Sequence, residues 1–477
     1  GGGYNNYSVG NNTYIGGGWD NCASGTCALV GGGCGNKTSG IAMVIVGGCG
    51  NSGTGCTAFI GGGKTNTTSG DCSTIGGGLL NIASGDASFI GGGCDNSATA
   101  AWGTVAGGCG NEVTEACGTT VGGYGSCVNG IGGFIGGGGH HRVSNGHGTI
   151  AGGLSGLAYR CGDFVGGGIN NHSCGTYGCN IIVGGHNNSL TLNASGSFIG
   201  GGLGNTSNSP GIFLGGGNQN EVVADNGSLV GGARNCVSAS LGFVGGGQEN
   251  LVKGAWGVVA GGCGNSTCGV HDVVVGGLGH SLSGGYDFIG GGYTNSTHSS
   301  NDTIAGGYIN LAKGGSSFIG GGSQNCACGC GSVVVGGCQG CACGDYSAVA
   351  GGCLNSATCA NTFIGGGGRN VTYGQFGVVV GGQFNCACTD YAVVGGGNVN
   401  QILNTAVYGF IGSGHNNTLS GAHAHSSILG TGIASVSSNM LHTGMLQLSG
   451  VPTADPGIGG VVWSDSGTLK ISACARP

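Results

Sequence analysis

Charged residues are scarce in this chain of 477 residues, which has 10 lysines and arginines and 17 aspartates and glutamates. No basic run is present, so the chain lacks the electrostatic footprint of a nucleic-acid-binding protein. Its apolar runs, such as residues 41–46, are far shorter than the roughly 20 residues that span a membrane, and we expect no membrane insertion. Proline occurs only 4 times and the 125 glycines do not recur at every third residue, which excludes collagen. Because glycine disfavours helices, we expect an all-β protein.

A repeat of 15 residues organises most of the chain. Its motif is an aliphatic residue, two glycines, two variable residues and an asparagine, as in IGGGWDN at 15–21 and FIGGGYTN at 288–295. We call the position of that asparagine the anchor. It recurs 28 times from Asn6 to Asn417, and three of the steps have 17 residues instead of 15. The period predicts a parallel β-solenoid, or β-roll, of about 28 coils.

Stacked asparagines are predicted at the anchors, because asparagine tolerates turns and equivalent residues of adjacent coils lie about 4.8 Å apart. The first members of this structural ladder are Asn21, Asn36, Asn51, Asn66, Asn81 and Asn96. The residue six before the anchor is almost always aliphatic, as at Ile60, and is predicted to fill the core.

The residues seven and five before the anchor compensate each other in volume. Where the first is Phe, as at Phe59, the second is Gly, as at Gly61; where the second is Val or Ala, as at Val46, the first is never Phe. Close packing requires such compensation, so we expect this face to be buried as well. Identical neighbouring chains are the expected partner. The alternative is a wider solenoid whose two walls both face inward.

The repeat resembles the head repeats of trimeric autotransporter adhesins, the YadA-like left-handed β-roll, over residues 1–417. That resemblance implies three rolls around a threefold axis and therefore a homotrimeric fibre. The segment at 446–477 is similar to the terminal module of phage and large-virus fibre proteins, in which a Leu-x-Leu strand and a Val-Pro-Thr turn precede a hairpin. The matching residues are Leu446, Leu448, Val451, Pro452, Thr453, Trp463, Asp465, Gly467, Thr468, Leu469 and Lys470. Residues 418–445 are assigned to a neck between the two.

The 27 cysteines favour an oxidising compartment or a virion surface, and their odd number leaves at least one unpaired within the chain. Because residues one coil apart lie within disulfide reach, bonds between adjacent coils are predicted. The pairs are Cys34/Cys49, Cys94/Cys109, Cys326/Cys341, Cys328/Cys343 and Cys338/Cys353. Metal binding by the clusters at 326–330 and 341–343 is the rival interpretation, although they lack the usual spacing of zinc ligands.

Two histidines, His423 and His425, form an H-x-H pair after the last coil. If they lie on a strand, three chains around an axis offer six imidazoles to one metal ion; the alternative is two solvated side chains. No other cofactor is expected. The acidic residues are interpreted as not stacking, apart from Asp71 and Asp86, and no Ser, His and Asp constellation is evident, so we predict no enzymatic activity.

The expected function is that of a structural and adhesive extracellular fibre, most simply a virus or phage appendage that attaches to a cell-surface receptor or glycan. A bacterial surface adhesin head is the alternative. An ice-binding solenoid is a third possibility, which the scattered threonines disfavour. The chain begins inside a repeat without an initiator methionine, and we expect a preceding leader or domain.

Overall fold

The structure is a computed structural model that describes residues 2–403, 405–421, 423–435, 437–443, 462–465 and 468–471. All regular structure in these residues is β. Contacts divide the chain into two units, Gly1–Ile309 and Asn310–Pro477. No helix in the described ranges is long and apolar enough to cross a membrane.

The predicted parallel β-solenoid with a 15-residue period is confirmed, with about 29 turns. Each coil contributes a two-residue strand directly after the anchor to a first sheet, and a strand that ends six residues before the next anchor to a second sheet. Strands pair in parallel with the equivalent strand of the next coil, as in Cys22↔Lys37 and Phe59↔Thr74. A single bridge two residues before each anchor adds a third contact between coils.

The strands of the first unit alternate between the two sheets along the chain. They are Tyr7–Ser8, Tyr14–Ile15, Cys22–Ala23, Leu29–Val30, Lys37–Thr38, Val44–Ile45, Ser52–Gly53, Phe59–Ile60, Thr67–Thr68, Thr74–Ile75, Ile82–Ala83, Phe89–Ile90, Ser97–Ala98, Thr104–Val105, Glu112–Val113, Thr119–Thr120, Cys127–Val128, Phe134–Ile135, Arg142–Val143, Thr149–Ile150, Leu157–Ala158, Phe164–Val165, His172–Ser173, Ile181–Ile182, Ser189–Leu190, Phe198–Ile199, Thr206–Ser207, Phe213–Leu214, Glu221–Val222, Ser228–Leu229, Cys236–Val237, Phe243–Val244, Leu251–Val252, Val258–Val259, Ser266–Thr267, Val273–Val274, Ser281–Leu282, Phe288–Ile289, Ser296–Thr297 and Thr303–Ile304.

The second unit repeats this arrangement and also contains one antiparallel pair of strands. Its strands are Leu311–Ala312, Phe318–Ile319, Cys326–Ala327, Val333–Val334, Cys341–Ala342, Ala348–Val349, Ser356–Ala357, Phe363–Ile364, Val371–Thr372, Val378–Val379, Cys386–Ala387, Val393–Val394, Gln401–Ile402, Phe410–Ile411, Thr418–Leu419, Ser427–Leu429, Leu441–Thr443, Val462–Asp465 and Thr468–Ile471.

Two left-handed turns in each coil keep the strands short. One lies just before the anchor, as at Asp20 with φ 62°, and the other lies six residues after it, as at Cys27 with φ 61°. Non-glycine residues occupy many of these positions, including Trp102 and Thr294, although L-residues adopt this conformation at a cost of about 1–2 kcal/mol. The glycine three before the anchor is required for a further reason, since a Cβ on Gly18 would overlap the carbonyl oxygen of Gly33 in the next coil.

Five positions of each coil point inward. They are the anchor and the residues two, four, seven and nine positions after it, as in the coil of Asn36, Thr38, Gly40, Met43 and Ile45. The ninth position is the residue six before the next anchor, which is buried throughout the described coils except for partial exposure at the first, and this confirms the predicted core column. In coils where the first sheet carries a small inward residue, such as Ala23 or Ala83, a larger aliphatic side chain of the second sheet faces it.

The face formed by the residues seven and five before the anchor points outward in both units. The wider solenoid with two inward walls is therefore wrong: Phe59 is 37% exposed and Val46 51%. The side chains of the five inward positions already fill the interior of the roll, so there is no room inside it for this face.

The parallel pairing continues past residue 417. Ser427–Leu429 follows the strand Phe410–Ile411 and pairs with Leu441–Thr443, so solenoid pairing includes residues that the sequence assigned to a neck. Further on, Val462–Asp465 and Thr468–Ile471 pair antiparallel, as the resemblance to fibre termini implies. The remainder of the expected C-terminal module, including its Leu-x-Leu and Val-Pro-Thr elements, lies outside the described residues.

Candidate functional sites

Each anchor asparagine joins its coil to the next through the backbone. The amide of Asn96 donates to the carbonyl of Gly92 at 3.0 Å and to that of Gly108 in the next coil at 2.9 Å. Its Oδ1 accepts the backbone N–H of Asn111 at 3.0 Å. The six asparagines named from the sequence are buried and make contacts of this kind. Amide–amide contacts also occur, for example from Asn81 to Asn66 at 3.1 Å.

Histidine replaces asparagine at two anchors and reproduces part of this pattern. Nδ1 of His141 accepts the N–H of Gly156 at 3.0 Å, and its Nε2 lies 3.1 Å from the carbonyl of Gly153. Nδ1 of His280 accepts the N–H of Asn295 at 3.0 Å. Burial lowers the pKa of both imidazoles. Because Nδ1 accepts an N–H in each ring, the proton of the neutral imidazole lies on Nε2.

Three carboxylates stack inside the first unit, contrary to the expectation that acidic residues do not stack. Asp272, Asp287 and Asp302 lie seven residues after successive anchors and are buried. Oδ1 of Asp272 accepts the N–H of Asp287 at 3.2 Å, and Oδ1 of Asp287 accepts that of Asp302 at 2.8 Å. Burial raises the pKa of Asp272 and of Asp287, and in each case the next carboxylate adds to the rise. Their 15-residue spacing was a sufficient signal in the sequence.

Three of the predicted cysteine pairs occupy the bridge position two residues before the anchor. Cys34 bridges to Cys49, Cys94 to Cys109 and Cys338 to Cys353 in adjacent coils. All six thiols are free in this structure. Burial, followed by contact with the partner thiol, raises the pKa of Cys94 and of Cys338. Disulfides between these coils stay a prediction.

The other two predicted pairs differ from the structure. Cys326 is bonded to Cys328, two residues along the same strand, and not to Cys341. Cys343, the predicted partner of Cys328, has its Sγ 2.9 Å from that of Cys341. The physical reason is that residues i and i+2 of a strand share a face: the two bonded cysteines have Cα atoms 5.9 Å apart, within disulfide reach. A third Cys-Ala-Cys segment is bonded in the same way, between Cys386 and Cys388.

The histidine pair of the sequence does not form a common site in this structure. Both residues precede the strand Ser427–Leu429 and lie in or beside a turn, so the alternation of a strand does not apply to them. Nδ1 of His423 contacts the hydroxyl of Ser435 at 2.7 Å. His425 instead has φ 57° and stacks on the ring of Tyr408 at 4.9 Å.

Aromatic side chains stack in the turn that lies six residues after the anchor, or eight after Asn400 and Asn417, a feature that the sequence analysis missed. In the second unit Phe376, Tyr391, Tyr408 and His425 form a continuous stack with ring centroids 4.9, 4.7 and 4.9 Å apart. In the first unit a shorter stack joins Trp256, His271 and Tyr286. These rings are partly exposed, and their spacing is that of the coils.

The compensation between phenylalanine and glycine has an explanation within one chain. In several coils the phenylalanine ring packs against the glycine two residues later: a Cβ on Gly61 would lie 3.5 Å from Cε1 of Phe59, and a Cβ on Gly166 would lie 3.2 Å from Cε1 of Phe164. The nearest atom to each of these Cβ positions is a backbone carbonyl oxygen of the next coil, that of Gly76 or Val183, so ring and backbone together leave little room for a larger side chain. The pattern therefore does not by itself require a second chain, although the face stays open to solvent.

Comparison with known proteins does not assign the chain to a family. No family model matches the chain, and no curated protein is significantly similar to it.

Proposed function

We propose that this protein is a structural and adhesive extracellular fibre, which assembles with copies of itself through the outward face of its second sheet. The observation that carries the proposal is the composition of that face. Across successive coils, the residues seven and five before the anchor include no charged residue. They are aromatic, aliphatic, threonine, serine or glycine, and exposed members include Phe288, Val275 and Val335.

The outward face of the first sheet provides the contrast. It carries Lys37, Glu112 and Arg142 at the position directly after the anchor. The same repeat builds both outward faces, and their strands have the same geometry. We therefore attribute the difference in charge to a partner that covers the second sheet and leaves the first exposed to solvent. Large exposed apolar surfaces are uncommon on monomeric soluble proteins and mark sites of association.

A copy of the same chain is the occupant that best fits this face. The apolar columns recur once per coil, and a partner that covers them coil by coil needs the same period along its length. Obligate interfaces between identical subunits are also the more hydrophobic class. Three copies around one axis, as the resemblance to adhesin heads implies, place every such face in the interior.

The proposed role of the assembled fibre is attachment to a cell-surface receptor or glycan. An abundance of short parallel strands with few titratable groups suits a durable, inert support. The antiparallel pairing of Val462–Asp465 with Thr468–Ile471 agrees with the resemblance to viral and phage fibre termini, and it supports the proposal of a virion location. A bacterial adhesin head remains the second candidate, because the 15-residue roll itself favours that family equally.

The assembly is tested by measuring the mass of the full chain by sedimentation under reducing and non-reducing conditions. We expect a trimer in both. A double variant, Val230→Lys with Val275→Lys, places charges on the proposed interface and is expected to yield monomers. Its matched control, Thr206→Lys with Ser281→Lys, places the same charges at exposed positions of the first sheet and should stay trimeric. A monomeric wild-type protein in both conditions would refute the proposal.

The location is tested by immunogold labelling with antibodies against the chain. Label on the appendages of purified virions is the expected result. Label on the outer surface of bacterial cells, with none on virions, would favour the adhesin head instead.

A further inference from the structure

Two consecutive coils of the second unit carry Cys-Ala-Cys at the same position. In each, the alanine points into the core, at Ala327 and Ala342, and the flanking cysteines point outward. Cys326 pairs directly with Cys341 across the parallel strands. The four thiols therefore occupy the corners of a small square on the outward face of the first sheet.

The sulfur atoms of this square are close to one another. Those of Cys326, Cys328 and Cys341 all lie within 4.8 Å of one another. The sulfurs of Cys341 and Cys343 are 2.9 Å apart. A tetrahedral thiolate site needs Zn–S bonds of about 2.3 Å, and therefore sulfurs about 3.8 Å apart. Rotation about the cysteine side chains is sufficient to bring the square to that geometry, because the backbone positions are already adjacent.

We propose that Cys326, Cys328, Cys341 and Cys343, in their reduced form, bind one soft cation of the Zn²⁺ class with four thiolate ligands. Thiolates select such ions over Mg²⁺ and Ca²⁺, which take oxygen ligands. The disulfide between Cys326 and Cys328 removes two of the four ligands, so the site exists only when both Cys-Ala-Cys segments are reduced.

The ammonium group of Lys313, in the coil before that of Cys326, lies near enough to the square to interact with the Cys341 thiol. A bound cation replaces the thiol protons, and its binding is therefore expected to release protons and to strengthen as pH rises. Lys313 also offsets part of the negative charge that four thiolates leave around a divalent ion.

The third Cys-Ala-Cys segment is a built-in comparison. Cys386 and Cys388 have Val371 and Tyr373 beside them in the preceding coil, and Gln401 in the following one. This segment offers two thiols and no second pair. It can form a disulfide, but it cannot supply four thiolates from one chain.

The test uses the full chain reduced with a phosphine and titrated with Co²⁺, whose spectrum reports thiolate ligation in a tetrahedral site. We expect one Co²⁺ per chain with that signature, displaced by Zn²⁺. The variant C341S/C343S should lose the signature, and C386S/C388S should retain it. Retention of the signature by C341S/C343S, or an equal loss in C386S/C388S, would overturn the proposal.

A second measurement keeps the proposal testable if C341S/C343S folds poorly. The reduced wild-type chain is alkylated with and without Zn²⁺, and modified cysteines are mapped by mass spectrometry. Zn²⁺ should protect the four cysteines of the square by at least about tenfold in rate, and leave Cys386 and Cys388 unprotected. Uniform protection, or protection confined to other cysteines, would contradict the site.

Discussion

The anchor asparagine makes more contacts than its size suggests, since one amide satisfies two carbonyls and one N–H from two coils. In Asn96 these three hydrogen bonds are all between 2.9 and 3.0 Å. Backbone groups that are buried without partners destabilise a protein, and the anchor amide satisfies groups that this corner would otherwise leave unpaired. Ser126, Gly156 and Gly340 show that some coils make the corner without it. His141 and His280 replace the amide with a ring nitrogen that accepts the N–H of the next anchor.

Asn96→Ala is expected to destabilise its coils by about 2–4 kcal/mol, the net value of three such hydrogen bonds. Asn96→His should retain more of the stability, because both ring nitrogens of His141 contact backbone groups of the next coil. Amide hydrogen exchange across residues 92–111, together with thermal unfolding, measures both changes. Equal protection in the alanine and histidine variants would show that the hydrogen bonds are not what the position requires.

At the scale of the element, the stacked carboxylates of the first unit make stability depend on pH. The pKa of Asp287 is raised in the folded protein, so the folded state binds a proton at a higher pH than the unfolded state does. Stability is therefore expected to rise as pH falls from above the folded pKa towards the ordinary value near 3.8. Above the folded pKa, the charged carboxylate destabilises the fold.

Asp287→Asn removes this charge, and asparagine already occupies the equivalent turn position at Asn180, where its Oδ1 accepts the N–H of Ser197. We expect the variant to melt at a higher temperature than the wild type at pH 7, and the difference to shrink as pH is lowered towards 4. Melting curves recorded through this range provide the check. The buried histidines, whose pKa values are lowered, act in the opposite direction in both proteins and cancel in the comparison. A difference that grows on acidification would contradict the assignment.

The aromatic stack of the second unit is expected to stabilise the turns that carry it. Tyr391 lies between Phe376 and Tyr408, at 4.9 and 4.7 Å, whereas Tyr346 occupies the same turn position in a coil without a stacked ring. Aromatic pairs contribute about 0.5–1.5 kcal/mol each beyond their buried area. Tyr391→Ala should therefore destabilise the protein by about 1–3 kcal/mol more than Tyr346→Ala in urea unfolding. Equal effects would mean that the rings are adjacent without interacting.

The sequence predicted the features that repeat identically in every coil of 15 residues. The anchor and core columns follow from the spacing of residues such as Asn21 and Ile60, because every coil repeats the same inward positions. The bonding of Cys326 did not follow, since its neighbour along the strand and its neighbour in the next coil are both within disulfide reach. His425 was misplaced because the last turns depart from the regular register. The sizes of Phe59 and Gly61 alone could not show whether their compensation arises within one chain or against a second chain, because that depends on how the ring is oriented.

At the scale of the whole molecule, the charge-free face determines how the proposed assembly should respond to its solvent. Only 6% of the residues are charged, so ion pairs between chains are few and apolar burial must supply the association. Salt screens charges, with a Debye length that falls from about 10 Å at 0.1 M to about 3 Å at 1 M. It does not weaken apolar association, and sulfate strengthens it.

We therefore expect the oligomer to keep its mass when sodium chloride is raised from about 0.1 M to about 1 M. Its dissociation constant should rise as the temperature falls towards 0 °C, because apolar association weakens on cooling. Sedimentation at several protein concentrations, salts and temperatures measures both effects. The Val230→Lys and Val275→Lys variant supplies the contrast: it is expected to be monomeric at low salt, and its association, which the introduced charges oppose, should recover in part at high salt. Dissociation of the wild-type oligomer by sodium chloride would instead assign the interface to the charged outward face of the first sheet, where Lys37, Glu112 and Arg142 lie.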